Sequence, residues 1–567
     1  MKFIQKIKNN KSSIVLLLTT TLFVGCSNYL DVNKDTDNPT IAPLDLLLSN
    51  IEKDVSNTGD FGIYSGSLLS VYTHQMTTRE EQDQYGAKVD NFATNNEWNN
   101  IYLTLKDIET LISQSKETNN LVYLGIAQLQ KAYLLSVAVD LWGDVPFSEA
   151  SQLTAGILSP KFDDQKVIYS EVLKLIETAK TNIKSNEGLQ KPGTDDFFYG
   201  GDTAKWIKFA NTFKLKLYNQ TRLTSDFDQT GFNALIAEND FFSSNADDFQ
   251  FARYGNISPT DERNEYFKDS YNSTQFGSYQ SPWFYEILKG VNPNIHQGNP
   301  DPRMKYYFYN QLIAGQFPPD QGDETTGNPK ADYWDESTGF YSIRFGSVGP
   351  WRDSSAENSY TYPGIFPAGG RYDDGKGEIM GTSTATGIAP KRILTYDEFL
   401  YIQAELIQAG KMTGNSATKL QAAVTASFAK VDQVVSGNGS TQKDIPVLIG
   451  SEMVNTFITN LMTEFNAASA AKKLEIIMTQ KWVGTYGDPL DQYNDYRRTG
   501  YPILADPTSS SKEYQLDNAD GFPIIDSQTV LNNPYQISLF WPQSELNVNK
   551  NSPDQKNTGT YKIFWDN

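Results

Sequence analysis

The sequence predicts a mainly α-helical protein that carries a long irregular insertion. Apolar residues recur at helical spacing through residues 41–240 and again through residues 391–500. Between them, residues 240–390 are rich in Gly, Pro, Asn, Asp, Ser and Tyr and show no sustained period. The helical segments follow one another as pairs about 34 to 45 residues apart, the scale of tetratricopeptide-type repeats. We therefore expect one helical scaffold, residues 41–567, built from stacked helix pairs.

The chain begins with the features of a secretory signal. Four lysines in the first eleven residues precede a mostly apolar run, residues 12–24. This run is shorter than the roughly 20 residues that a membrane-spanning helix needs. Gly25 and Cys26 follow, and Cys26 is the only cysteine of the chain. We predict a signal peptide over residues 1–25; a secreted protein with a free thiol is the alternative.

The segment after Cys26 has the alternation of a calcium-binding loop but lacks its other requirements. The loop type needs glycine at its sixth position and a carboxylate at its twelfth. Thr36 and Ala42 stand there instead. Asx residues also hydrogen-bond their own backbone in ordinary turns, so residues 26–40 are interpreted as a polar tether without a metal. The alternating residues are Asp31, Asn33, Asp35 and Asp37.

Composition narrows the possible functions. The formal net charge is −20, which argues against a nucleic-acid partner because phosphates need cations. The same charge repels anionic lipid head groups. Two histidines, His74 and His296, and one cysteine leave little material for zinc, thiol or Ser-His chemistry. We therefore expect no cofactor and no metal.

Each helix is predicted from its own pattern. Residues 96–117 place Trp98, Ile101, Leu105 and Ile108 on one face. Residues 120–143 are apolar over a wider arc, as in a central helix packed on two sides. A helix is also expected within the insertion, over residues 281–290, whereas residues 501–567 are expected to be irregular. The other predicted helices are 41–57, 64–78, 165–184, 203–223, 229–238, 394–410, 415–437, 450–463 and 469–486.

Eight stretches in order along the chain resemble the SusD/RagB family of outer-membrane nutrient-binding lipoproteins, in its SusD-like branch. The first is Cys26 with the preceding signal, which resembles a bacterial lipobox; Phe23 stands where leucine is usual. Each stretch alone is weak, but their order covers nearly the whole mature chain. The remaining stretches are residues 29–40, 139–150, 202–222, 301–308, 392–410, 480–502 and 540–551.

The resemblance implies a fold, a location and a role. It implies a scaffold of tetratricopeptide-like helix pairs, lipidation of Cys26 and a surface-exposed place on the outer membrane. It also implies that the protein forms the lid of a TonB-dependent, SusC-like channel and captures oligosaccharides or peptides. The shared motifs are mostly scaffold: Trp206, Arg497 and Arg498 are expected in packing and helix-end ion pairs.

Two groups of residues are candidates for ligand binding. Sugars bind flat apolar surfaces rimmed by planar polar groups, and aromatic side chains supply such surfaces. The early candidates, Arg79, Trp98 and Asn99, lie in a region comparable to one that the family's carbohydrate sites use. For Trp98, the alternative is a position in the core beneath an amphipathic helix. The loop candidates could instead hold the loops together. The candidates are Arg79, Trp98, Asn99, Trp283, Trp334, Tyr341, Trp351 and Tyr360.

A secreted α-helical glycoside hydrolase is the alternative from another class. Such an enzyme needs two carboxylates roughly 5 to 10 Å apart across the scissile bond. The chain has 68 acidic residues, so some pairs meet that distance by chance. No nucleophile elbow, HExxH motif or phosphate loop is present in the sequence. We therefore expect binding without catalysis, with glycan favoured over peptide.

Overall fold

The computed structural model describes nine stretches of the chain: residues 42–152, 156–272, 277–319, 322–323, 328–329, 332–349, 352, 356–506 and 530–566. The predicted signal peptide and tether, with Cys26, therefore lie outside the described residues.

The described residues form a mainly α-helical protein, which confirms the predicted fold class. Seven helices precede residue 240, four short ones lie in the insertion and six follow it. The first seven are α1 Leu44–Asn57, α2 Ser65–Tyr72, α3 Phe92–Glu117, α4 Leu121–Trp142, α5 Gln165–Ser185, α6 Thr203–Thr221 and α7 Gln229–Glu238. The next four are α8 Glu265–Tyr271, α9 Pro282–Lys289, α10 Met304–Tyr307 and α11 Ile365–Ala368. The last six are α12 Tyr396–Gln408, α13 Ser416–Gly437, α14 Glu452–Ala467, α15 Ala470–Gly484, α16 Pro489–Thr499 and α17 Gln543–Val548.

The strands form six antiparallel two-stranded ladders within the described residues. Several of them join segments far apart in the chain, so they fix the insertion onto the helices. The pairs are β1 Met76–Thr78 with β5 Ser278–Gln280, β2 Val145–Pro146 with β3 Phe162–Asp163, β4 Phe249–Phe251 with β12 Lys391–Leu394, β6 Phe308–Tyr309 with β11 Tyr362–Pro363, β7 Gly322–Asp323 with β8 Asn328–Pro329, and β9 Tyr333–Asp335 with β10 Phe340–Ser342.

Helix ends follow local capping chemistry. The side chain of Asp164 accepts hydrogen bonds from the backbone N–H groups of Lys166 and Val167 at the start of α5. Asn91 caps α3 in the same way. The predicted helix 64–78 is shorter than expected, because α2 ends at Tyr72 and His74 takes a left-handed backbone conformation with φ 55°. The chain then becomes strand β1.

Helix α4 lies at the centre of the first half. It packs along α3 and α5, and Gly125 allows α5 to approach closely. Among the described residues, α4 is the one helix long and apolar enough to cross a bilayer. Since 89% of its most apolar stretch is buried inside the protein, we assign it to the core, as its wide apolar arc predicts.

A buried network of charges joins helices from both halves of the chain. Glu405 on α12 accepts from Arg222 Nη2 at 2.8 Å and from Arg498 Nη2 at 3.0 Å. Arg498 also binds Asp495 on α16 at 2.7 Å, and Lys481 on α15 binds Asp495 at 2.8 Å. Arg498 is thus the scaffold residue that the sequence predicted. The network holds α6, α12, α15 and α16 in one arrangement.

Candidate functional site

Four of the predicted binding residues meet in one place within the insertion. Strand β1 pairs with β5, so Arg79, directly after β1, lies beside Tyr279 of β5. The β9–β10 hairpin places Tyr341 opposite Trp334, and Tyr360 packs on both Tyr279 and Tyr341. We call this group the aromatic cluster: Arg79, Tyr279, Trp334, Tyr341 and Tyr360.

Arg79 is held by two aromatic rings. Its guanidinium carbon lies 5.2 Å from the ring centroid of Tyr279 and 5.8 Å from that of Tyr360. Its Nη2 donates a hydrogen bond to the Tyr360 hydroxyl at 3.2 Å. Burial raises the pKa of Tyr360 although Arg79 opposes the shift, so the phenol stays neutral at physiological pH.

The aromatic cluster is a wall rather than an open platform. Trp334 is 6% exposed, and Tyr341 and Tyr360 are each 1% exposed. The indole N–H of Trp334 has no hydrogen-bond partner among the described residues. Arg79, in contrast, is half-buried.

A large open cleft begins at the residue after Arg79. Its volume is about 1280 Å³, and eight of its 19 lining residues carry side-chain amides. We call it the amide cleft. One wall is the segment from Glu80 to Asn91, and the other is formed by residues of the C-terminal segment from Asn532 to Gly559. Its amide side chains are Gln82, Gln84, Asn91, Asn532, Asn533, Gln536, Gln555 and Asn557.

Hydrogen bonds between amides tie the two walls together. Asn532 Nδ2 donates to Gln84 Oε1 at 2.6 Å, and Asn533 Nδ2 donates to the backbone oxygen of Gln84 at 3.3 Å. Gln536 donates to the backbone oxygen of Ala87 at 3.0 Å. Gln82 also lines the cleft, and its Oε1 is buried without a partner among the described residues. Hydrogen bonds therefore link the two walls of the cleft, and one amide oxygen of its lining remains unpaired among the described residues.

The charges in the amide cleft are few and of both signs. Glu80, Asp90, Lys88 and Lys556 line it. Lys556 donates to the backbone oxygen of Trp142 at 2.6 Å, and burial lowers the pKa of its ammonium well below the usual value. The lining therefore offers hydrogen bonds of both directions rather than a strong field of one sign.

Trp98 and Asn99 lie in a separate pocket on α3. This pocket, of about 330 Å³, is also lined by Tyr102, Leu103 and Glu545. Trp98 is 4% exposed and packs edge-on against Trp142, with ring centroids 5.1 Å apart. Asn99 is exposed. The side chain of Trp98 is thus mainly a core group whose edge reaches the pocket.

The remaining candidates lie elsewhere. Trp283 on α9 is 2% exposed and donates its indole N–H to the backbone oxygen of Ile503 at 3.0 Å. That contact fixes the insertion to the chain after α16. Trp351 lies outside the described residues.

Three buried carboxylates approach one another near α16. Oxygens of Glu398, Asp488 and Asp491 lie within 4.8 Å of one another. The ammonium of Lys216 contacts Asp491, and that of Lys481 lies 3.4 Å from Glu398. Burial raises the pKa of Glu398 well above its usual value, and Asp491 adds to the shift. The ammonium groups of Lys216 and Lys481 thus offset part of the negative charge of the cluster.

Sequence reasoning missed the C-terminal wall of the amide cleft. The polar runs at residues 532–533 and 555–559 look like ordinary loop residues. Their partners around residues 80–91 are more than 400 positions away, and no periodicity records such a pairing. Only the concentration of amides could have marked them.

The described residues thus form a mainly helical protein with an open, amide-lined cleft. The chain belongs to the SusD-like family, described as starch-binding and associating with the outer membrane, whose sequence profile matches residues 36–520. A comparison with curated proteins found no significant match.

Solved structures share the fold at low sequence identity. A SusD homologue from Bacteroides fragilis aligns with a TM-score of 0.66 and 17% identity, covering 93% of this chain and 99% of that one. A chitin-binding protein aligns with a TM-score of 0.65 and 21% identity, covering 92% and 100%. A chitin-binding SusD homologue from Flavobacterium johnsoniae aligns with a TM-score of 0.61 and 16% identity, covering 92% and 99%.

Proposed function

We propose that this protein binds an oligosaccharide at the cell surface and serves as the lid of a TonB-dependent outer-membrane channel, without catalysing a reaction. The observation that carries the proposal is the amide cleft, which is large, open and amide-lined. Amides donate and accept hydrogen bonds in one plane, which suits the paired hydroxyls of a sugar ring. Two solved relatives described as chitin-binding support this ligand class.

The aromatic cluster contributes the edge of the proposed site. Arg79 directly precedes Glu80 of the cleft, and its contacts with Tyr279 and Tyr360 hold the guanidinium in place. We assign Arg79 the role of a donor to sugar hydroxyls. Trp334, Tyr341 and Tyr360 then position it. Asn99, with the edge of Trp98, is assigned to a secondary contact on α3.

The location and partner rest on the sequence and the family. The signal before Cys26 supports lipid anchorage, and the family description supports association with the outer membrane. A lid requires a channel, so native membranes should yield a stable complex. We expect a tagged copy of the protein to co-purify with a β-barrel partner in mild detergent. Recovery of the tagged protein without such a partner would contradict the lid role.

Binding is tested with the mature protein and a panel of soluble glycans that includes chitin oligosaccharides. Gln82→Ala and Asn557→Ala should each weaken binding about three- to tenfold, since each removes one or two hydrogen bonds. Gln421→Ala is the matched control, because Gln421 is exposed on α13 and does not line the cleft. Glycan affinity is measured by isothermal titration. Equal changes in affinity for all three variants would contradict the assignment of the glycan to the amide cleft.

The same panel tests the hydrolase alternative. Glu80 and Asp90 both line the cleft, and a hydrolase would need two such carboxylates. We expect no release of reducing ends over a day of incubation. Release that disappears in Glu80→Gln or Asp90→Asn would establish an enzyme instead. Binding of peptides but of no glycan would keep the lid role and replace the ligand class.

A further inference from the structure

A second pocket lies apart from the amide cleft, between the chain before α6, strand β4 and helix α13. Its volume is about 540 Å³, within the usual range for small-ligand sites. Phe197, Gln250, Arg253 and Gln433 are among its lining residues. It shares no lining residue with the amide cleft. We call it the α13 pocket.

Several polar groups of the α13 pocket keep unmet hydrogen-bonding or ion-pairing capacity among the described residues. Among the described residues Lys205 has no ion pair, although its Nζ lies 5.9 Å from the ring centroid of Tyr199. The side-chain amides of Gln250 and Gln433 make no hydrogen bond with the described residues. Arg253 is 8% exposed, and its Nε has no partner among the described residues, although its Nη2 binds Asp60 at 2.9 Å. A buried donor left unpaired is costly unless something meets it.

The charges facing the α13 pocket favour an anion. Lys205, Arg253 and Lys430 line it, against one carboxyl, Asp248. Lys430 is paired with Asp397 at 2.7 Å and Arg253 with Asp60 at 2.9 Å. Lys205 is therefore the lining cation that has no ion pair among the described residues. Burial, with Asp397, raises the pKa of Asp248 to about 8, so this carboxyl is mostly neutral at pH 7 and does not repel an anion.

One side of the α13 pocket is a fixed apolar wall. Phe197 is 47% exposed, and its ring packs edge-on against Phe251 with centroids 5.8 Å apart. Ile388 also lines the pocket. An exposed ring held in this way suits the C–H face of a sugar. In contrast, the tyrosines of the aromatic cluster are covered by protein.

We propose that the α13 pocket is a second carbohydrate site, specific for a sugar ring that carries a carboxylate. In this assignment Lys205 and Arg253 Nε meet the carboxylate, Phe197 packs on the ring, and Gln250 and Gln433 bind hydroxyls. The assignment does not depend on the amide cleft, since the two sites have different walls. It adds acidic saccharides to the ligands of this chain.

The test compares a galacturonic acid trisaccharide with the uncharged galactose trisaccharide of the same linkage, by isothermal titration on the mature protein. We expect the acidic sugar to bind at least about tenfold more tightly, as a charge-assisted contact implies. Raising the salt from 50 to 300 mM should weaken its binding, because the contact is partly exposed.

Variants locate the site. Lys205→Gln should lose most of the preference for the acidic sugar, and Phe197→Ala should weaken both sugars. Lys174→Gln is the matched control, because Lys174 is exposed on α5 and pairs only with Glu171. Thermal melts report whether each variant is folded. Equal affinity for the two sugars, absence of binding to both, or an unchanged preference in folded Lys205→Gln would overturn the proposal. The proposal would also be overturned if Gln82→Ala failed to bind the acidic sugar while Lys205→Gln still bound it. That result would place the acidic sugar in the amide cleft.

Discussion

Glu405 illustrates how single buried charges stabilise this fold. It is completely buried on α12 and lies between the guanidinium groups of Arg222 and Arg498. Asn219 donates to it as well, at 2.7 Å. Burial alone would raise the pKa of Glu405, but Arg498 and Arg222 outweigh it and hold the value at about 2.

Glu405→Gln should therefore destabilise the protein strongly. The change leaves two buried cations without their shared anion, a situation that costs roughly 3 to 5 kcal/mol. Urea unfolding at pH 7 measures the loss. Glu171→Gln is the control, since its pair with Lys174 is exposed and should cost less than about 1 kcal/mol. Equal losses for the two variants would contradict the role of burial.

The pH dependence of the same residue has a definite sign. A carboxyl group whose pKa is lower in the folded than in the unfolded state stabilises the fold at pH values above its unfolded-state pKa. This stabilisation is lost as the pH falls through its folded-state pKa. The wild type should thus lose the contribution of Glu405 between about pH 4.5 and about pH 2. Glu405→Gln should show a shallower acid limb than the wild type.

His74 predicts a second pH effect, at milder acidity. It is fully buried, packs on Phe345 with ring centroids 3.8 Å apart, and pairs its Nε2 with the Tyr85 hydroxyl at 2.8 Å. Burial lowers its pKa to about 3. Below pH 6.5 the unfolded chain takes up a proton that the folded chain refuses, so stability falls with pH.

The expected loss from His74 between pH 7.5 and 5 is about 2 kcal/mol. His74→Asn removes the titration and keeps a residue type that tolerates the left-handed backbone at this position. The variant should be less stable at pH 7.5 but lose less on acidification. Urea titrations at both pH values give the slope, and parallel slopes for both proteins would rule out His74 as the source.

The candidate site was only partly predictable at this scale. Residue type made Arg79 and Tyr360 candidates for binding, and the structure places these two side chains in contact. Residue type could not separate Trp283, an aromatic that holds a loop to the scaffold, from one beside a cleft. Exposure decides that difference, and exposure depends on distant parts of the chain.

At the scale of elements, the long helices were predictable and the transitions were less so. The apolar arc of residues 120–143 predicted α4, observed as Leu121–Trp142. The pattern of residues 64–78 predicted one helix, but its end pairs with residues 278–280 as a strand. Thr77 and Thr78 are β-branched, which favours that outcome once a partner strand is present. The partner lies 200 residues away and leaves no local signal.

The contact between α4 and α5 depends on Gly125. A Cβ there would lie 2.5 Å from Ile183 Cγ1 and 2.7 Å from the backbone oxygen of Ala179. Alanine is the better helix former by about 1 kcal/mol, yet Gly125→Ala should destabilise the protein, because the Ala179 backbone must move.

Gly437→Ala is the matched control for this prediction. It is also helical, and a Cβ there would meet no atom within 4 Å. We expect a neutral or slightly stabilising effect for Gly437→Ala and a loss of about 1 to 3 kcal/mol for Gly125→Ala, measured by chemical unfolding. If Gly125→Ala were more stable than the wild type, α4 and α5 could move apart without a loss of folding free energy.

At the scale of the whole molecule, the C-terminal segment closes the fold onto α4. Leu539 N–H donates to the backbone oxygen of Leu141 at 2.8 Å, and Trp142 donates its indole N–H to Phe540 at 3.0 Å. Trp565 donates to Asp140 Oδ1 at 2.9 Å and is fully buried. These links also build the far wall of the amide cleft, which is why the site could not be read from local patterns.

Trp565→Ala should therefore affect both stability and binding. Removing a buried tryptophan typically costs about 3 to 5 kcal/mol, and the loosened segment carries one wall of the cleft. Val548→Ala, at an exposed position of the same segment, should change neither unfolding nor glycan affinity. If Trp565→Ala is strongly destabilised but binds glycan with full affinity, the packing of the C-terminal segment onto α4 is not needed for binding.

The predicted attachment to the membrane follows from the charge of the whole chain together with Cys26. The chain carries a formal net charge of −20, and removal of the predicted signal takes away four lysines and no acidic residue. Such a surface is repelled by anionic lipids, so the acyl chains predicted on Cys26 should supply the whole attachment. More than one acyl chain is needed for stable anchoring, as lipidation of both the thiol and the amine would provide.

The wild type should then stay in the membrane fraction after a 1 M salt wash. Cys26→Ala should be found unprocessed or in the soluble fraction, and mature Cys26→Ala protein in the washed membranes would overturn the predicted lipobox.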